Sequence, residues 1–137
     1  MLRRSLLVVF LWQCQLVVAC GYCVEDKIAS VYDHALVTQA LAKKHHVAFF
    51  HIDGTPAPGD ATRRWLESAA AATAGIDQGS ARVALETLTI SVAFDPRRTS
   101  LVAVQTTLER KLAAKKLSLM PLRVIDGTAQ LSAVRPR

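Results

Sequence analysis

Apolar residues between Val24 and His46 recur at helical spacing, with Val24, Ile28, Val31, Ala35 and Leu36 making one stripe. The spacing predicts a single helix over 24–46. Glu25 and Asp26 fall in its first turn and Lys43, Lys44, His45 and His46 in its last, the charge order that a helix dipole favours. The opposite side carries Asp26, Lys27, Ser30, Asp33 and His34 and is expected to face water or a partner. "HVAFFHID", residues 46–53, is apolar and aromatic and stops at Gly54, so it predicts a strand followed by the turn-rich "GTPAPGD". Asp60 is expected to N-cap a helix through "ATRRWLESAAAATAG", with Trp65, Ala69 and Ala72 on one side and Gly75 as its stop. "SARVALETLTISVAFDP" alternates at Ala81, Val83 and Leu85 and again at Ile90, Val92 and Phe94, which predicts two strands joined tightly near residues 86–88. "TSLVAVQTTLERKLAAKKL" predicts a helix capped by Thr99 or Ser100 with Leu101, Val104, Leu108 and Leu112 as its stripe. "SLMPLRVID" predicts a last strand, and residues 127–137 read as a loose tail.

After the leading helix the order is therefore strand, helix, strand, strand, helix, strand. This is the α+β class, a ferredoxin-like βαββαβ sandwich in which two helices cover one face of a four-stranded antiparallel sheet. The core domain is expected over 47–126, with residues 20–46 adding one extra N-terminal helix. Ahead of it, residues 1–19 place Arg3 and Arg4 before an apolar run from Leu6 to Trp12 and small or β-branched residues ending at Ala19. That is the order of a secretory signal peptide. The run is too short for a membrane span, which needs roughly 20 apolar residues, and Gln13 and Gln15 interrupt it. An exported, periplasmic chain beginning at Cys20 is the expectation. Loss of Arg3 and Arg4 lowers the formal charge from +6 to +4. The remaining basic residues are scattered without interleaved aromatics, so they read as solvated faces and no nucleic-acid partner is expected.

The helix "TRRWLESAAAATAGI", the paired strands ending in "FDP", and "RRTSLVAVQTTLERKL" carry a family rhythm: an Arg-bearing first helix, a Gly-Ile turn, a valine-rich hairpin, a Thr-Ser-capped second helix. With these residues the stretch from His46 to Asp126 resembles the heavy-metal-associated domain of metallochaperones and copper-pump tails. The resemblance implies a ferredoxin-like fold, handling of Cu(I) or another soft metal ion, and a metal-transfer protein as partner. In that family a Cys-x-x-Cys between the first strand and first helix holds the ion. Here that loop, "DGTPAPGDATRR" over 53–64, has no Cys, His or Met, so no ligand role carries over to it.

The thiols lie elsewhere. Cys20 and Cys23, in "CGYC", open the extra helix, where the dipole lowers a thiol pKa and spacing of three residues lets two sulfurs approach. The tetrapeptide also resembles the active sites of thioredoxin-like oxidoreductases, but no strand precedes it, as that fold requires. Three fates stay open. Cleavage after Ala19 leaves a dithiol, which is a metal clip or a reversible disulfide. Lipidation at "VVAC" consumes Cys20 and gives a membrane-anchored lipoprotein. Cleavage after Cys20 leaves Cys23 alone. His34 lies eleven residues beyond Cys23 in the sequence, roughly 16 Å along a helix, and reads as a surface residue. His45 and His46 read as dipole complements. His51 points opposite to Phe50 and meets the cysteines only if the leading helix folds back along the sheet. No nucleophile elbow, phosphate loop or zinc-protease helix is present, and no catalytic residue is assigned. The function that follows is soft-metal binding by Cys20 and Cys23. The alternatives are a lipid-anchored scaffold presenting its sheet or polar helix face, and a small thiol-disulfide oxidoreductase.

Overall fold

The computed structural model describes residues 23–128, so the expected signal peptide, Cys20 and residues 129–137 lie outside the described residues. The elements are α1 (Val24–Val31), α2 (His34–Ala42), β1 (His46–Asp53), α3 (Asp60–Ala71), β2 (Arg82–Ala84), β3 (Thr89–Phe94), α4 (Leu101–Leu112, extended by a 3-10 turn) and β4 (Ser118–Ile125). The strands form one antiparallel sheet in the order β2-β3-β1-β4. From β1 onward the chain has the expected ferredoxin-like order and topology.

Strand alternation splits β1 between two cores. Ala48, Phe50 and Ile52 face α3 and α4 and pack with Leu66, Ile90, Val92, Phe94, Val104, Leu108 and Leu112. Val47 and Phe49 face the other way, onto Ile28, Val31, Val37 and Ala40 of α1 and α2. Burial on both faces explains why β1 reads as an unbroken apolar run rather than an alternating one. The sheet therefore lies between two helical layers, with α1 and α2 covering the face opposite α3 and α4.

The leading segment is two helices, not the single one expected. Tyr32 and Asp33 are extended (ψ 114° and 107°). Asp33 Oδ1 accepts the Leu36 amide at 3.1 Å, capping α2, while Oδ2 accepts Arg82 Nε at 3.0 Å. A short carboxylate that bonds to nearby backbone competes with helix continuation, and here a β2 arginine fixes that outcome. The break resets the buried stripe. Ile28 and Val31 are buried as expected, but Val24 and Ala35 are exposed and α2 turns Val37 and Ala40 inward. Lys44 then turns the chain with φ 62°, so His46 belongs to β1 rather than to a helix end. The polar side of α1 stays largely exposed, at Asp26 and Ser30, and it also reaches the sheet. Lys27 and Ser30 bond to Thr87 on the β2–β3 hairpin.

Two further expectations shift by a residue or more. The N-cap of α3 is Gly59 (φ 109°), and Asp60 occupies the first helical position and bonds Arg63 instead. The α3 stripe is Thr62, Leu66 and Ala70, with Trp65 and Ala69 at its margin and Ala72 exposed. In contrast α4 matches closely: Ser100 Oγ accepts the Ala103 amide at 3.1 Å, and Val104, Leu108 and Leu112 are buried. At the end of the domain Gly127 is buried so close to the turn before β1 that an added Cβ would collide with the His45 carbonyl. Among the described residues no helix is long and apolar enough to cross a membrane.

Candidate metal centre

Cys23 is the N-cap residue of α1, with extended backbone (ψ 165°) and an exposed side chain. Its Sγ donates to Asp26 Oδ2 at 3.1 Å. The sulfur stands at the amino-terminal, positive end of the helix dipole. Glu25 and Asp26 lie in the first turn of the same helix. Arg123 of β4 pairs with Glu25 and holds its carboxyl below the usual carboxylate range, chiefly through the side-chain hydrogen bond. Cys20, the other predicted ligand, lies outside the described residues.

Contacts along α1 show its path across the sheet. Glu25 meets Arg123 on β4, Lys27 meets His51 on β1, the Val31 carbonyl accepts Ser91 Oγ of β3 at 3.3 Å, and Asp33 just beyond meets Arg82 on β2. The helix does fold back along the sheet, the condition set for His51 to meet the cysteines, and the α1 residue that His51 meets is Lys27. His51 Nδ1 lies 3.0 Å from Lys27 Nζ and 3.0 Å from the Leu88 carbonyl oxygen. Lys27 also donates to the Thr87 carbonyl at 3.1 Å. His51 is thereby placed under the first turns of α1, on the strand that precedes the β1–α3 loop.

That loop has the family's position but not its chemistry. Pro56, Pro58 and Gly59 line a cleft of about 330 Å³ with Asp60, Arg63, Leu85, Glu86 and Leu88. Asp60 and Arg63 engage one another, which holds Asp60 below its usual range. Neither supplies a soft donor. Among the described residues no group of three or more His, Cys, Asp and Glu side chains is placed to hold a metal ion.

The remaining histidines take other roles. His34 is exposed, as expected. His45 and His46 do not serve a helix end. His45 Nδ1 is 2.6 Å from Asp77 Oδ2 and its Nε2 is 3.6 Å from Asp95 Oδ2. Carboxylates on opposite ring nitrogens cannot converge on one ion, so this is a bridge between the head of β1 and two loops. Arg97 bonds Asp95 through both side chain and backbone and holds its carboxyl at about 2. His46 Nε2 is 3.0 Å from Asp126 Oδ1, an ion-pair distance. These partners are remote in sequence, and no local pattern announces them.

No protein-family profile matches the sequence, and no curated protein matches it. Among solved structures, the copper binding domain from HMA7, a P-type ATPase, is similar at 19% identity and a TM-score of 0.47, over 58% of this chain and 96% of that one. Oxidized MerP from Ralstonia metallidurans CH34 is similar at 16% identity and a TM-score of 0.45, over 58% and 99%. The CopZ metallochaperone is similar at 20% identity and a TM-score of 0.42, over 54% and 98%. At these identities the likeness is one of fold, and what this chain binds is argued from its own residues.

Proposed function

We propose that this is an exported, periplasmic soft-metal-handling protein whose Cys20 and Cys23 together hold Cu(I) or a similar ion at the mouth of α1. The observation that supports it most is the exposed Cys23 sulfur at the N-cap of α1, in a chain whose β1–α3 loop has no thiol. Two thiolates satisfy Cu(I), whereas a structural Zn(II) site takes about four ligands. Two thiolates and one Cu(I) leave a single net negative charge, which the positive end of α1 stabilises. Both thiols must lose protons to bind, so affinity rises with pH through the thiol range. The metal ion passes to or from a metal-transfer protein, the partner class that the family resemblance implies, and no enzymatic step is needed.

Intact-mass spectrometry of the chain recovered from an exporting bacterial host tests the dithiol that this reading needs. The expected mature chain starts at Cys20 and reacts with two equivalents of a thiol-alkylating reagent after reduction. A mass gain matching acylation at Cys20, or a chain starting at Gly21, overturns the paired-thiol site.

A further inference from the structure

The strand order β2-β3-β1-β4 gives the sheet two edges, of which β2 spans three residues and β4 eight. A long edge offers its outward N–H and C=O groups to any second strand. β4 is also apolar, with Leu119, Met120, Leu122, Val124 and Ile125 among its residues, and Met120 is 53% exposed. Its outward backbone is nevertheless closed where the strand begins. Leu119 stands opposite Ile52 in the register, and the Ile52 amide donates to the Leu88 carbonyl on the hairpin side rather than to β4. Leu119 therefore belongs to a pair whose backbone groups point away from each other, so its own N–H and C=O face the open side of the sheet. Glu109 Oε1 accepts that N–H at 2.8 Å, and Gln105 Nε2 donates to that C=O at 3.0 Å. Pro121, the next residue of that alternation, has no N–H to offer. We propose that Glu109 and Gln105 of α4 form an edge guard, which holds both backbone groups of Leu119 and so stops β4 from pairing with β4 of a second copy of this chain.

A second copy is the partner that such an edge fits. Two identical strands related by a two-fold axis run antiparallel, so each offers the other the same alternation of donors and acceptors. An added strand takes both the N–H and the C=O of an outward residue, the groups that the two α4 side chains hold at Leu119. Glu109 and Gln105 lie one turn apart on α4 and meet each other, with Gln105 Nε2 3.5 Å from Glu109 Oε1. They stand beside the buried stripe of Val104, Leu108 and Leu112, not within it. The rest of the edge carries devices of the same kind. The pairing with β1 passes from Pro121 to Arg123 and skips Leu122, an irregularity that twists an edge away from a flat partner. Arg123 beyond it is exposed and ion-paired with Glu25, and a charge on an edge strand opposes pairing with its own copy. The guard rests on α4 and β4 alone, so it stands or falls apart from the thiol site.

The test uses the full chain from an exporting host, carrying Cys20→Ser and Cys23→Ser so that neither acylation nor a disulfide joins copies. In that background the unguarded pair Gln105→Ala, Glu109→Ala is compared with Glu109→Gln, whose Oε1 still accepts the Leu119 amide, and with the parent. Sedimentation equilibrium reads mass against concentration, hydrogen exchange reads the Leu119 amide, and circular dichroism checks the fold. The guard predicts one copy for the parent and for Glu109→Gln, and a concentration-dependent shift to two copies for the unguarded pair. Leu119 exchange in that pair should be fast when dilute and slow as the dimer forms. A purely structural role for the two side chains would lower the urea midpoint and leave the mass at one copy. A folded, unguarded chain that stays single at every concentration overturns the guard, as does a dimer whose formation leaves Leu119 exchange unchanged, or a parent already at two copies. Should the unguarded pair lose its fold, Gln105→Ala with Pro121→Thr carries the same test, because it frees the Leu119 carbonyl and adds an outward amide at an exposed position. A single-copy mass for that variant overturns the guard as well.

Discussion

Asp95 shows how much one carboxylate can tie together. It directly follows β3, accepts Arg97 from side chain and backbone, and faces His45 Nε2 at 3.6 Å. Its carboxyl titrates at about 2 in the folded chain against an ordinary 3.8. A depressed folded-state value contributes stability that is fully present above pH 3.8 and is lost as pH falls toward about 2. Denaturant midpoints measured from pH 5 to 2 should therefore fall less steeply below pH 4 for Asp95→Asn than for the natural sequence. Equal slopes would remove Asp95 from the acid response. Ser100→Ala deletes the cap on α4 and should cost about 1 kcal/mol in urea unfolding. This cap was legible because it is local: a serine at the start of an apolar-periodic stretch. Asp33 was not, because the arginine that holds its carboxylate lies 49 residues on. His45 was misjudged for the same reason, with Asp77 32 residues away.

At the scale of elements, the clearest gain over the sequence pattern is the second helical layer. Periodicity located β1, the hairpin strands, α4 and β4 within a residue or two of their ends. It read 24–46 as one helix because no Gly or Pro interrupts that stretch. The stop is made by tertiary contact at Asp33, which propensity does not carry. Similarly, α3 is rotated so that Thr62, Leu66 and Ala70 face the core, while Trp65 sits at the margin with Lys115 Nζ 4.4 Å from its ring centroid. The two-layer burial of β1 makes a sharp prediction. Phe49 and Phe50 point to opposite faces and both are fully buried, so Phe49→Ala and Phe50→Ala should each destabilise by about 3–5 kcal/mol. Chemical denaturation checks this. A Phe49→Ala cost near zero would mean that α1 and α2 do not cover that face.

For the whole molecule, the ferredoxin-like core and its two added helices set the chemistry at one end. The β1–α3 loop, where the resemblance places metal ligands, has no Cys, His or Met. Instead α1 crosses the sheet from β4 toward β2 and presents Cys23 at its start, above the side of the sheet that carries His51. The sequence located the thiol and the helix mouth. It could not show the crossing, which depends on ion pairs and hydrogen bonds between residues far apart in the chain. The central claim is that soft-metal binding at this end rests on the thiols. Titration of the reduced full-length protein with Cu(I) against a competing chelator tests it most directly. The account predicts that the Cys20→Ser, Cys23→Ser variant loses the tightest Cu(I) equivalent that the natural sequence binds. Unchanged stoichiometry and affinity in that variant would contradict it.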